Sequence, residues 1–350
     1  MSSKLTKIGI NGLGRIGRSL FHQIKEIKSL EIVCLNDTNN NLENISYTLN
    51  YDSTYSLREN RYYPRNNNIC DKKNKKKIKV FNKKNINDVN WEKEKIDILI
   101  DSSGLKLNSK KLKSMTGNFI SLITNSDDEN IKHLIYGLNE QDFDKKNDKV
   151  ISGSICDAVA ISPILNKIDD SFNLMSGSIT TIHPLLNYQN ALDARSASWS
   201  VPNSTYGHFE LGRSFINNII PKPTSALNAI SKACNKNFNE KIISFSYRVP
   251  TTIVGSADIS LVFNELVTKE NFLKCLKSIN KYNKDIILFS DEKLVSIDFM
   301  KNNYSAIVDL RWLEIKQFNN QTFLKLIIWY DNEWGYSSKL IDLIKSMDLN

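Results

Sequence analysis

An α/β chain of two domains, the first a doubly wound, mostly parallel sheet and the second an α+β unit on a mostly antiparallel sheet, is predicted by three features. The chain has 350 residues, more than one hydrophobic core conveniently fills. A strand, a glycine-rich turn, a helix and a second strand follow one another near its start, which is a βαβ unit. Beyond residue 155 long alternating stretches replace the short apolar runs.

In chain order, LTKIGIN (5–11) is an apolar run that reads as a buried strand, and RSLFHQIKEIKS places Leu20, Phe21, Ile24 and Ile27 at helical spacing. LEIVCLND (30–37) is the second strand. IKVF (78–81), IDILIDSSG (96–104) and KVISGS (149–154) supply further strands, so the first domain spans 1–155. LMSGSITTIH, IISFSYRVPTT, SADISLVFNEL, YSAIVDLRWLEIK and TFLKLIIWYD supply the second sheet, with helices at 158–168, 224–235 and 269–280, and that domain spans 156–332. The last helix, SSKLIDLIKSM, is expected to return to the first domain, which then includes 333–350. A loop with little periodicity, 193–213, is long enough to be functional or an interface.

Hydrophobic residues at 41% and charged residues at 24% are the balance of a folded soluble chain. No apolar run reaches the ~18 residues of a membrane span, and MSSKLTKIGINGLG lacks the parts of a secretory leader, so a cytoplasmic location without a membrane partner is expected. Five cysteines (34, 70, 156, 234, 275) lie without C-x-x-C spacing, which speaks against disulfides and against a zinc motif. The net charge of +9 is partly local to DKKNKKKIKVFNKK (71–84). Without interleaved aromatics, that run reads as a solvated hairpin loop and not as a nucleic-acid surface. A general attraction for small anions remains.

Gly12, Gly14 and Gly17 form G-x-G-x-x-G between the first strand and the first helix, and Asp37 ends the next strand about 20 residues on. Glycine lets the chain turn tightly and a pyrophosphate approach the main chain, while the helix N-terminus offers partial positive charge. The acid fits a ribose 2′-hydroxyl and would repel a 2′-phosphate. The motif therefore points to NAD bound on a Rossmann-type domain.

SGSICDAVAISP (152–163) sets Cys156 where a strand gives way to a helix. By composition a free cysteine is more often buried filler. At a helix N-terminus, however, its thiol is expected to have a lowered pKa and nucleophilic character. His183 in SITTIHPLL ends a strand and is the candidate base, although a lone histidine there is more often structural.

KIGINGLGRIGR, ND (36–37), YDSTYS (51–56), S-x-S-x-C around Cys156, TTIH (180–183), NNIIPKPT (217–224), YRVPT (247–251) and WYDNEWGYS (329–337) together resemble the phosphorylating glyceraldehyde-3-phosphate dehydrogenase family, in its order and spacing. The resemblance implies a homotetramer in which the 193–213 loop packs against a neighbour's cofactor site. It implies that Cys156 is the nucleophile and His183 the general base. Asn11, Gly12, Gly14, Arg15, Ile16, Gly17, Asp37 and Ser103 are implied to contact NAD, with Asn332 and Tyr336 holding the nicotinamide. Arg213, Thr224 and Arg248 are implied to hold the anionic groups of a phosphorylated aldehyde and of inorganic phosphate. No metal is implied.

The departures lie at the anion pocket. Where the family reads S-C-T-T-N, this chain reads Ile155, Cys156, Asp157, Ala158, Val159, so two phosphate-binding hydroxyls are missing, and Leu186 stands where a third is expected. Three readings follow: a dehydrogenase of glycolysis or of a related sugar-aldehyde pathway; a non-phosphorylating variant releasing a free acid; or a retired nucleotide-binding homologue with a regulatory role. The acidic Asp37, followed by the uncharged TNNN, predicts a clear preference for NAD. Steady-state kinetics with both cofactors checks this, and equal or better efficiency with NADP would contradict the role given to Asp37.

Overall fold

The computed structural model describes residues 5–58, 60–126, 130–198, 200–201, 204–205, 207–281 and 285–347. By its internal contacts the chain forms two units, one of residues 1–132, 143–153 and 347–350, the other of 133–142 and 154–346.

The first unit opens with β1 (Thr6–Asn11), α1 (Arg15–Ile24), β2 (Leu30–Asn36) and α2 (Leu42–Asn50). It continues through β3 (Tyr62–Arg65), β4 (Asn68–Asp71), β5 (Lys77–Phe81), β6 (Ile98–Asp101), α3 (Asn108–Lys113), β7 (Ile120–Ile123) and β8 (Val150–Ser152). Beyond a two-residue edge strand at Lys132–His133, the sheet order is β8-β7-β6-β1-β2-β5-β4-β3. All neighbours from β8 to β5 are parallel, and β4 and β3 are added antiparallel. β6 and β7 are buried at every position, so their sequences are mostly apolar rather than alternating, and the polar Asp101 and Ser121 within them are buried too. Strand order reverses beside β1, and ligands of open parallel sheets bind at the carboxyl end of the strands there. Residues 72–76 of the basic run form the hairpin turn between β4 and β5, and the run continues through β5 itself.

The second unit begins at α4 (Cys156–Ser171), followed by β9 (Leu174–Pro184), β10 (Ile220–Lys222) and α5 (Ala226–Cys234). Then come β11 (Ile242–Val249), β12 (Gly255–Phe263), α6 (Lys269–Lys277), β13 (Ile287–Ser290), β14 (Ala306–Phe318), β15 (Gln321–Tyr330) and α7 (Trp334–Ser346). Its seven-stranded sheet has the order β10-β11-β9-β12-β15-β14-β13. Only β9 with β11 and β13 with β14 run parallel. α4 packs on β9 and β12 and against α5, α6 and α7. Residues 157–165 of α4 are all buried, so its apolar positions surround the helix instead of forming a stripe. The other sheet face carries the exposed side chains of Ile182, Ile243 and Phe245, which alternate along β9 and β11 with the buried Thr181, His183, Ser246 and Arg248.

Two boundaries differ from expectation. α7 groups with the second unit, not the first, because Leu340, Ile341, Leu343 and Ile344 are buried, the helix packs on α4, and the Lys339 ammonium donates to the Asp285 carbonyl at 2.9 Å. Residues 133–142 also join it, where Asn139 Nδ2 donates to the Ala233 carbonyl at 3.0 Å. Hydrophobic spacing reports that a helix has a buried face but not which core receives it. Among the described residues no helix is long and apolar enough to cross a membrane.

Candidate active site

The position of Cys156 is set by a left-handed turn. Ser154 adopts φ +59, and its carbonyl accepts the Tyr336 hydroxyl at 2.9 Å. Ile155 is then extended, no side chain caps the helix, and Cys156 becomes the first residue of α4. A second uncommon turn joins β11 to β12. Val254, a β-branched residue, has φ +68, and its N–H donates to Asn332 Oδ1 at 3.1 Å. Each such conformation costs on the order of 1–3 kcal/mol and persists only where its surroundings hold it. Asn332 and Tyr336, expected to hold a nicotinamide, therefore also brace the backbone of the thiol site.

His183 lies near the end of β9, with Nε2 at 3.5 Å from Cys156 Sγ. Its Nδ1–H donates to the Pro184 carbonyl at 2.7 Å, a bond that places the lone pair on Nε2, facing the sulfur. Asp157 is the second acceptor: Oδ1 lies 3.5 Å from Sγ and 3.9 Å from His183 Nε2. The same oxygen accepts the buried Tyr330 hydroxyl at 2.8 Å. Tyr330 reaches it because Gly255, its partner across β12 and β15, has no side chain; a Cβ there would stand 2.8 Å from the tyrosine ring. One thiol proton thus has two acceptors, an imidazole nitrogen and a carboxylate.

These surroundings reverse the expected thiol chemistry. Burial, the larger cause, and the Asp157 carboxylate push the Cys156 thiol well above its ordinary value, and Arg248 pulls it back only in part. Burial and the Arg248 guanidinium push His183 down to about 4. The resting pair is a neutral thiol beside a neutral imidazole, not a thiolate–imidazolium ion pair. The expected lowering at the helix N-terminus is outweighed by burial and by the carboxylate of the next residue.

The sheet face that carries His183 also carries two cationic side chains and two buried hydroxyls. The register pairs His183 with Arg248, and pairs Thr181 with Ser246 and Ser246 with Lys222. Arg248 is 8% exposed, with Nε and Nη1 unpartnered among the described residues, as are the buried hydroxyls of Thr181 and Ser246. Unpartnered buried donors are costly, and a bound anion would satisfy them. Burial and Arg248 lower the Lys222 ammonium to about 8.

The nucleotide loop of the first unit fits a pyrophosphate. Gly12 has φ +91, and a Cβ there would stand 2.8 Å from the Ser103 backbone; one on Gly17 would stand 2.0 Å from the Gly12 carbonyl. α1 starts at Arg15 with neither a capping side chain nor an acid in its first turn, so the main-chain N–H groups of Arg15 and Ile16 suit phosphate oxygens. The Arg15 guanidinium pairs with Asp52 and lies over the Tyr55 ring. Asp37 accepts the Leu13 N–H at 2.7 Å and the Asn39 N–H at 2.8 Å, and each oxygen keeps a lone pair for a ribose hydroxyl. Asn11 is spent inside the sheet: Nδ2 donates to the buried Asp101 carboxyl at 2.7 Å and Oδ1 accepts from Asn36 at 2.7 Å. Ser103 Oγ accepts from Asn108 Nδ2 at 3.0 Å.

Cys156, His183 and Arg248 are thus brought onto one site. Arg213 is exposed and its Nε donates to Asp193 at 2.8 Å, and Thr224 Oγ1 accepts the Ala226 N–H at 3.1 Å before α5; neither bonds to that cluster. Sequence reasoning passed over Tyr330, Thr181, Ser246 and Lys222. Tyr330, Thr181 and Lys222 lay inside the quoted motifs, and only the strand register shows that Thr181, Ser246 and Lys222 share the face of His183.

Replacing Asp157 by Asn removes a negative charge and leaves a weaker acceptor, so the Cys156 pKa should fall. Iodoacetamide labelling of Cys156 near neutral pH, followed by mass spectrometry, should then be several-fold faster in the variant. Unchanged or slower labelling would contradict the electrostatic role of Asp157.

Residues 6–109 match the NAD binding domain of glyceraldehyde 3-phosphate dehydrogenase, and residues 155–332 match its C-terminal domain. The chain is 33% identical over 348 residues to the glyceraldehyde-3-phosphate dehydrogenase of Buchnera aphidicola, covering 98% of this chain and 99% of that one. It is 29% identical to the cytosolic enzyme of Sinapis alba, covering 99% of each chain, and 29% identical to glyceraldehyde-3-phosphate dehydrogenase 1 of Caenorhabditis elegans, covering 96% of each. The fold, the nucleotide loop and the Cys156–His183 pair agree with these matches: the chain is a divergent member of the glyceraldehyde-3-phosphate dehydrogenase family.

Proposed function

We propose that the chain catalyses NAD-dependent oxidation of glyceraldehyde 3-phosphate or a related sugar aldehyde through a covalent bond to Cys156, and that inorganic phosphate is a poor acceptor of the resulting acyl group. The approach of His183 Nε2 to Cys156 Sγ at 3.5 Å carries this reading. A retired nucleotide-binding protein would have no physical reason to keep a nucleophile and a correctly oriented base together.

In this reading the neutral thiol adds to the carbonyl carbon as its proton passes to His183 Nε2 and on to the carbonyl oxygen, giving a thiohemiacetal on Cys156. Bound NAD supplies the hydride acceptor. His183 removes the hydroxyl proton as the hydride leaves, and the product on Cys156 is a thioester. Arg248, with Thr181 and Ser246 beside it on the sheet, suits the substrate's anionic group. Asp157 opposes a second anion at the thioester: a fixed negative charge costs an incoming phosphate about 1 kcal/mol at a wet surface and more in a dry pocket. The hydroxyls absent at Ile155 and Ala158 forfeit roughly 1.5–3 kcal/mol each of charge-assisted hydrogen bonding. Asp157 is also placed to accept a proton from an attacking water, which favours release of a free acid. The exposed apolar face of the second sheet, with Ile182, Ile243 and Phe245, supports a homo-oligomer, a tetramer by family. The proposed setting is cytosolic carbohydrate metabolism, as the name of the Sinapis alba relative suggests.

NADH formation should proceed without added phosphate and rise little with it, with the free acid as product by NMR, and Cys156→Ser should abolish turnover while nucleotide still binds. Saturation at low phosphate with an acyl phosphate product would contradict the acceptor assignment. Failure of every small aldehyde, phosphorylated or free, to yield NADH would contradict the enzyme.

A further inference from the structure

Cys156, Asp157 and His183 offer a sulfur, a carboxylate oxygen and an imidazole nitrogen, all within 4.8 Å of one another. We propose that this trio binds one zinc ion, and that the bound ion reversibly blocks Cys156 as a nucleophile. No zinc spacing exists in the sequence; the fold assembles the site from the start of α4 and the end of β9.

The three separations carry the inference. Tetrahedral zinc with ordinary bond lengths sets S···N and S···O about 3.5–3.6 Å apart and N···O about 3.4 Å apart. The observed values are 3.5 Å for Sγ to Nε2, 3.5 Å for Sγ to Oδ1 and 3.9 Å for Nε2 to Oδ1. Two edges of the tetrahedron are already formed, and the third closes with a shift of about half an ångström.

The outer partners are those of a metal site. His183 donates Nδ1–H to the Pro184 carbonyl, which fixes the ring and leaves Nε2 as the ligand atom. Tyr330 donates to Asp157 Oδ1 and orients the carboxylate. Binding forms a Zn–S bond, and the thiol proton leaves to solvent; the thiolate and carboxylate then neutralise the dication. Arg248 and Lys222, whose charges are felt at this cluster, oppose the ion, and the two anionic ligands offset them. Three protein ligands leave a fourth position for water. The family's hydroxyl in place of Asp157 would leave only two ligands, so the third is particular to this chain.

The inference shares Cys156 and His183 with the proposed dehydrogenase but does not require turnover. Reduced, chelator-treated protein is titrated with Zn2+ against a chromophoric chelator, and with Co2+ for the thiolate charge-transfer band. One equivalent of Zn2+ should bind, slow iodoacetamide labelling of Cys156 alone among the five cysteines, and be reversed by EDTA. Asp157→Asn should bind at least ~10-fold more weakly, and Cys156→Ser should lose the Co2+ charge-transfer band. Absence of stoichiometric binding to the wild-type chain, or wild-type affinity in Asp157→Asn, would overturn the site. Turnover with aldehyde and NAD in EDTA separates the two readings. Turnover without zinc binding overturns this inference alone, and zinc bound by the trio with no turnover overturns the dehydrogenase alone.

Discussion

The hydrogen bonds received by one oxygen, Asp157 Oδ1, govern the chemistry of the second unit. Sγ of Cys156 donates to it at 3.5 Å and the Tyr330 hydroxyl at 2.8 Å. The carboxylate sits in the first turn of α4, where the helix dipole favours negative charge, and the tyrosine satisfies part of its bonding in a buried place. Once that charge is settled beside the sulfur, the thiol stays protonated, a second anion is disfavoured there, and a cation is favoured. In the proposed reading, an acid placed only one residue from the thiol bears on three properties together: nucleophilicity, choice of acceptor, and sensitivity to metal.

The rest of the site is arranged to hold this contact. Ser154 and Val254 both occupy left-handed backbone conformations, and each is tied down by a side chain from the C-terminal WYDNEWGYS segment or the helix that begins there: Tyr336 to the Ser154 carbonyl, Asn332 to the Val254 N–H. Tyr330, from the same segment, holds Asp157. Strain in two turns is thus met by two residues, and Asp157 is held by a third, all within a single short stretch of sequence that shapes the thiol environment.

Much of the architecture was legible because its signals are local. Alternation marked β9, β11, β12, β14 and β15 of the second sheet but not the short β10 and β13; an apolar run marked β6, β7 passed unmarked, and the glycine loop followed by Asp37 marked the nucleotide unit. The placement of α7 was not legible, since its buried face is compatible with either core. In the site, Cys156 and His183 were ambiguous from their positions at a helix start and a strand end and were singled out by the resemblance, and Asp157 was visible as a departure from it. The direction of the thiol pKa was not. The expectation weighed the helix terminus alone, while the outcome depends on burial and on an aspartate whose orientation is set by Tyr330, 173 residues away in sequence. Lys222 and the buried Thr181 and Ser246 hydroxyls emerge only from the register of β9, β10 and β11.

The central claim is that Cys156 rests as a neutral thiol, its proton shared between His183 and Asp157. Thiolate absorbance in the near ultraviolet, taken as the difference between the wild-type chain and Cys156→Ser across a pH titration, measures that proton directly. The account predicts no Cys156 thiolate signal below the ordinary thiol pKa of about 8.5, since burial and Asp157 raise the group and the imidazole is too weakly basic to take its proton. A thiolate already half-formed below about pH 7, more than a unit under that ordinary value, would contradict it, and would mean that the pair is an ion pair in which Asp157 has no hold on the sulfur.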